Sequence, residues 1–175
     1  TKKAQDTKGG LISAGVGTEE KGFGSVRYGG EFSESAHFRF YAKYFNRDEA
    51  VYADGSDAAD EWDTARGGFR ADWEVSENNE ITLQGDIYDG KAGQTITAAS
   101  LTPPYSNTVE EDTKIDGGNL LAKWRRSFSK TSNIALKIYY DQASNESVIA
   151  GLQTEALDMD FQHQFAMGDR HEIIW

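Results

Sequence analysis

Ala36-His37-Phe38-Arg39-Phe40-Tyr41-Ala42-Lys43-Tyr44-Phe45 is the stretch that decides the fold. In an extended chain, successive side chains point to opposite faces. Phe38, Phe40, Ala42 and Tyr44 therefore share one face, and His37, Arg39, Tyr41 and Lys43 share the other. The same two-residue period continues outward. Phe69, Ala71, Trp73 and Val75 oppose Gly68, Arg70, Asp72 and Glu74. Ile81, Leu83, Gly85 and Ile87 oppose Glu80, Thr82, Gln84 and Asp86. Ile134, Leu136, Ile138 and Tyr140 oppose Ala135, Lys137, Tyr139 and Asp141. Leu157, Met159, Phe161 and Phe165 oppose Asp158, Asp160, Gln162 and Gln164, with His163 intruding on the apolar side. Weaker alternation at residues 12–16, 26–28 and 120–124, and a last run at 171–175, brings the expectation to nine strands. No segment carries a 3.6-residue period, so the expected class is all-β and antiparallel.

The connections sort into two kinds. Residues 33–35, 76–79, 129–132 and 167–170 are short, polar and turn-competent. Residues 46–64, 89–117 and 142–153 are long, and residues 18–22 make a short first loop on the same side. In an up-and-down meander, the short turns then gather at one end of the sheet and the long loops at the other.

Composition narrows the function. The 175 residues hold 18 Lys+Arg and 29 Asp+Glu, a formal net charge of −11, which argues against nucleic acid as the partner. The absence of Cys removes a disulfide framework, Cys-zinc sites and a Cys nucleophile. An aromatic share of 12% is too high for a disordered acidic chain. No apolar run approaches the ~18 residues of a membrane helix, and no signal peptide opens the chain.

Alternation alone fits a soluble barrel, with its apolar face inward, or a membrane barrel, with that face toward lipid. Other features favour the membrane. The alternating runs are about nine to eleven residues, enough to cross a bilayer at a tilt near 45°. Short turns on one side and long loops on the other is the asymmetry of outer-membrane barrels. Aromatics gather near strand ends: Phe32, Trp73, Phe128 and Phe165 by the short turns, Tyr44, Tyr88 and Tyr140 by the loops.

Several stretches resemble the TonB-dependent outer-membrane receptors. They are residues 1–10, 22–30 (Gly22-Phe23-Gly24-Ser25-Val26-Arg27-Tyr28-Gly29-Gly30), 41–47, 66–73, 83–88 and 160–165. The resemblance implies an exit from a missing plug domain at residues 1–10 and a partial barrel at 11–175, about nine strands of a barrel of roughly 22. It implies energy-coupled uptake of a scarce nutrient, an iron-siderophore complex foremost, across the outer membrane of a Gram-negative bacterium. The implied partners are the bilayer, the protein's own plug, the TonB energy-coupling complex and a small nutrient chelate. A passive porin-like channel and a soluble all-β binding module are the alternatives.

No catalytic, metal or cofactor site is expected. Asp54, Asp57, Asp60 and Asp63 recur every three residues, which does not match a calcium loop and reads as a solvated acidic loop. Gly22-Phe23-Gly24 is followed by Arg27 where a dinucleotide fingerprint wants Gly. His37, His163 and His171 have no ligand spacing, and His163 reads as interfacial. The ligand-facing candidates are the cations of the polar face: Arg39, Arg66, Arg70, Lys123, Arg125 and Lys137. They could guide an anionic chelate or contact a plug. The plainer reading pairs them with Asp72, Glu74, Glu80 and Asp86, at ~0.2–1 kcal/mol each.

Overall fold

The computed structural model describes residues 2–147, 149–168 and 170–175. Thr1 of the opening segment, Val148 of the third long loop and Asp169 of the last short turn lie outside the described residues. After a 3-10 turn at Gln5–Thr7, the chain forms β1 (Gly9–Gly15), β2 (Gly22–Ser33), β3 (Ala36–Arg47), β4 (Trp62–Ser76), β5 (Asn79–Ala99), β6 (Ser106–Ser129), β7 (Ser132–Glu146), β8 (Gly151–Met167) and β9 (His171–Ile174). All nine pair antiparallel with their sequence neighbours in one open sheet ordered β1 to β9. The expected class and strand count stand; closure into a barrel is not seen, because β1 and β9 are both edges.

Several expectations are corrected. Seven of the nine strands exceed nine to eleven residues, β5 with 21 and β6 with 24, while β1 has 7 and β9 has 4. Residues 89–117 are not a loop but mostly a hairpin extension, pairing Asp89 with Asp116 and onward to Ala99 with Ser106. Most of the long loop expected at 142–153 is strand as well, since β7 runs to Glu146 and β8 begins at Gly151. The extension overhangs its neighbours, since β4 pairs with β5 only as far as Ala92 and β7 with β6 only from Lys114. β1 also takes in Gly9 and Gly10, two residues before the expected boundary.

The short-turn end repeats one device. Register shifts fall between Glu31 and Ser33, between Glu74 and Ser76, and between Ser127 and Ser129. Each skips one apolar residue: Phe32, Val75 or Phe128. Each bulge precedes a two-residue turn, Glu34-Ser35, Glu77-Asn78 or Lys130-Thr131. A bulge next to a tight turn increases the local twist and ends the ladder cleanly.

Register sorts the side chains into cross-strand rows on two faces. On one face run Ala36–Trp73–Ile81–Trp124–Leu136–Phe161, then Gly30–Phe38–Ala71–Leu83–Ala122–Ile138–Met159. Next comes Tyr28–Phe40–Phe69–Gly85–Leu120–Tyr140–Leu157. Toward the long loops this apolar band ends obliquely. It stops after Tyr44 and Ala65 on β3 and β4, after Ile87 and Gly118 on β5 and β6, and after Tyr140 and Leu157 on β7 and β8. The next residues on this face are Asn46 and Asp63, Asp89 and Asp116, Gln142 and Glu155. The boundary thus drops by one row for every two strands. One row is about 6.7 Å along a strand and two strands span about 9.6 Å, so the boundary lies roughly 35° off the perpendicular to the strands.

No second layer covers the band. Ala4 is the only buried hydrophobic residue among those described, while Ile87 is 72%, Leu157 76% and Met159 71% exposed. A folded monomer of 19.4 kDa exposes about 8,500 Å². This chain exposes 12189 Å². Tyr88 is also relocated: it sits on the polar face beside Arg66, not among the apolar girdle.

Candidate functional site

The opposite face carries an ordered charge network. Arg39 faces Arg70 across β3 and β4, an unfavourable like-charge pair in isolation. Arg70 is drawn off by Asp72, which accepts from its Nε and Nη2 at 2.8 Å each, while its Nη1 donates to Gln84 Oε1 at 2.8 Å. Asp72 is only 6% exposed. It also accepts from Thr82 Oγ1 at 2.8 Å and from the Ala4 backbone N–H at 2.7 Å. A buried carboxylate is tolerable only with such donors around it.

Ala4 belongs to an N-terminal strap that lies on this face. Lys3 reaches Glu80 at 3.1 Å, and Glu80 also binds Arg125. The Lys2 carbonyl accepts from Arg39 Nη1 at 3.4 Å, and Lys8 pairs with Glu31. The strap crosses β2 at Gly29, where a Cβ would collide with the Thr7 carbonyl oxygen. Alternation gave no hint of this strap, because its residues lie outside any strand period.

The six candidate cations all fall on this face, and their pairing is uneven. Arg66 donates to Asp86 at 2.6 Å, and Asn119 shares that carboxylate at 3.2 Å. Lys137 stands 3.8 Å from Asp158 on β8, a partner not anticipated. Lys123 faces Thr82 and Lys137 and has no polar partner among the described residues. Glu74, expected as a partner, makes no ion pair among them. His163 stays on the apolar face, its ring 5.0 Å from Phe165 and 5.7 Å from Trp175.

Toward the long loops the polarity of the two faces reverses. The face that carried charge now carries the row Phe23–Phe45–Thr64–Gly90–Ile115, then Arg47–Trp62–Ala92–Thr113, then Ile96–Val109 on the hairpin extension. The other face now carries Asp63, Lys91, Lys114 and Glu146. Phe45 and Trp62 meet edge to face with ring centroids 4.5 Å apart. With Thr18, Glu19, Glu20 and Arg47 they line a cavity of about 550 Å³. Sequence reasoning missed this site, although Phe45 is an apolar residue in the phase of Lys43 and Tyr41.

The loop at residues 48–61 closes over its own backbone. Asp54 accepts from the backbone N–H and hydroxyl of Ser56, and Asp60 from the Ala50 N–H at 2.6 Å. These Ser56 donors hold the Asp54 carboxyl below its ordinary range. Glu49 is pushed the other way, by partial burial and then by the neighbouring charges of Asp57 and Glu61. Lys21 bridges to Asp48 at 2.5 Å, which lowers the Asp48 carboxyl and raises the Lys21 ammonium. No group of three or more His, Cys, Asp or Glu is placed to hold a metal among the described residues.

The class defined by these features is a single-layer, up-and-down antiparallel sheet with one apolar and one charged face. Comparison with protein-family models, curated proteins and solved structures finds no match to the chain.

Proposed function

We propose that the chain forms part of the wall of an outer-membrane β-barrel receptor of the TonB-dependent kind, for energy-coupled uptake of a scarce nutrient such as an iron-siderophore chelate. The observation that carries the reading is the oblique apolar band. A strand that crosses a bilayer at a tilt must meet the water boundary about one residue, or half a row, earlier or later than its neighbour. The roughly 35° slope falls within the 35–45° tilt of transmembrane barrels. Above that boundary the outer face turns polar on the three strand pairs from β3 to β8, as a surface leaving lipid for water should.

The charged face would then line the lumen, and the strap supports a plug. A plug inside the lumen must join the wall from that face, and the strap lies there, held by Asp72 and Glu80. The bilayer, a plug and the TonB complex are the partners this reading requires. Fractionation of cells making the full-length protein, followed by uptake of a radiolabelled iron chelate, tests it. Outer-membrane recovery with uptake abolished by a protonophore is expected. Recovery in the soluble fraction would overturn the membrane reading, and uptake indifferent to the protonophore would replace the receptor by a passive channel.

A further inference from the structure

The topology separates the charge of this protein along its strands. The segments at the long-loop end, residues 16–21, 46–64, 89–117 and 142–153, hold 4 of the 18 basic side chains and 15 of the 29 acidic ones. The remainder of the chain holds 14 of each. The whole net charge of −11 therefore sits at one end, above a body that is neutral. All four cations at that end are already held by carboxylates: Lys21 by Asp48, Arg47 by Glu19, Lys91 by Asp112 and Lys114 by Asp116.

The cavity under this field is aromatic. Phe45, Trp62, Glu19 and Glu20 line it together with Thr18 and with Arg47, which is paired to Glu19 at 3.6 Å, and Trp62 is 38% exposed to an incoming molecule. Aromatic faces attract cations, and a one-signed cleft raises the local concentration of the opposite charge. We infer that the Phe45–Trp62 cavity takes an organic cation with an apolar or aromatic body, such as a chelate of net positive charge, and disfavours anionic chelates. This rests on the receptor reading above and names the ligand class of its mouth. It also separates the six cations from ligand capture: they lie lower on the face, where Arg66, Arg70, Arg125 and Lys137 meet carboxylates and Arg39 meets the strap.

The test is titration of the full-length protein in detergent micelles with two probes of one aromatic body and opposite charge, 2-naphthyltrimethylammonium and 2-naphthalenesulfonate. The cation is expected to bind at least tenfold more tightly at low salt, with the preference shrinking as salt rises. Trp62→Leu should weaken the cation about 3- to 30-fold, as lost cation–π contact would. Glu19→Gln with Glu20→Gln, both at the exposed rim, should weaken it without touching the fold. Equal affinity for the two probes, or no response to both sets of substitutions, overturns the assignment. Thiol labelling of Asp57→Cys on intact cells is read in parallel. Labelling together with equal probe affinities defeats the ligand class alone, while an Asp57→Cys that never labels defeats the receptor orientation itself.

Discussion

Leu136 and Lys137 are adjacent in the chain and belong to opposite environments. Leu136 lies in the middle of the apolar band on β7, whereas Lys137 lies on the charged face opposite Asp160 and near Asp158. Leu136→Arg is expected to cost roughly 2–4 kcal/mol in the lipid-inserted protein. Lys137→Leu should cost far less, and urea unfolding of both variants in lipid vesicles measures the difference; equal costs would refute the register. Asp72 makes a second case. Asp72→Ala removes the acceptor shared by Ala4, Arg70 and Thr82, so the strap should come loose. Tryptic cleavage after Lys8 should then accelerate severalfold while the strand signal in circular dichroism persists. At this scale the sequence was legible where alternation was strong. It placed all six cations on one face and named Asp72, Glu80 and Asp86 among the acids that meet them, but it named Glu74 in vain and missed Asp158. Lys137 turns to Asp158 rather than to any acid of β4 or β5, a choice made by neighbouring strands and side-chain reach.

Elements were legible where their apolar phase stayed constant. β3, β4, β7 and β8 keep one phase through the band and were found. The upper halves of β5 and β6 carry no continuous strand signal in the sequence because the phase inverts there. Below Asp89 the apolar residues are Ile81, Leu83 and Ile87; above it they are Ile96, Val109 and Ile115, on the other face. Thr, Gly and charged residues between them dilute the signal further. The bulges at Phe32, Val75 and Phe128 were hidden for a related reason, since one skipped residue looks like ordinary alternation ending early. The two kinds of connection lead to a prediction of sidedness. Short turns of outer-membrane barrels face the periplasm. Asp57→Cys in the long loop should react with an impermeant maleimide on intact cells, and Glu77→Cys in the short turn should react only after the outer membrane is opened. The opposite pattern would invert the orientation.

The molecule as a whole lacks a reason to stay in water as a lone sheet. Its two edges, β1 and β9, offer unpaired backbone groups that recruit other strands. Its apolar band is uncovered and far exceeds the few hundred Å² tolerated on soluble monomers. Residues 1–175 expressed alone are therefore expected to aggregate or to require detergent, despite a net charge of −11. A monodisperse, cooperatively unfolding monomer in detergent-free buffer, by light scattering and urea titration, would mean that the band is buried inward after all. The strand order carries a last consequence. Because spatial order equals chain order and each strand leans only on its neighbours, stability accumulates along the chain as in a repeat protein, one interface at a time. A hairpin is then a unit of inheritance as well as of structure: duplicating or deleting β2 with β3 changes the width of the sheet while leaving the pairing among β4 to β9 as it was.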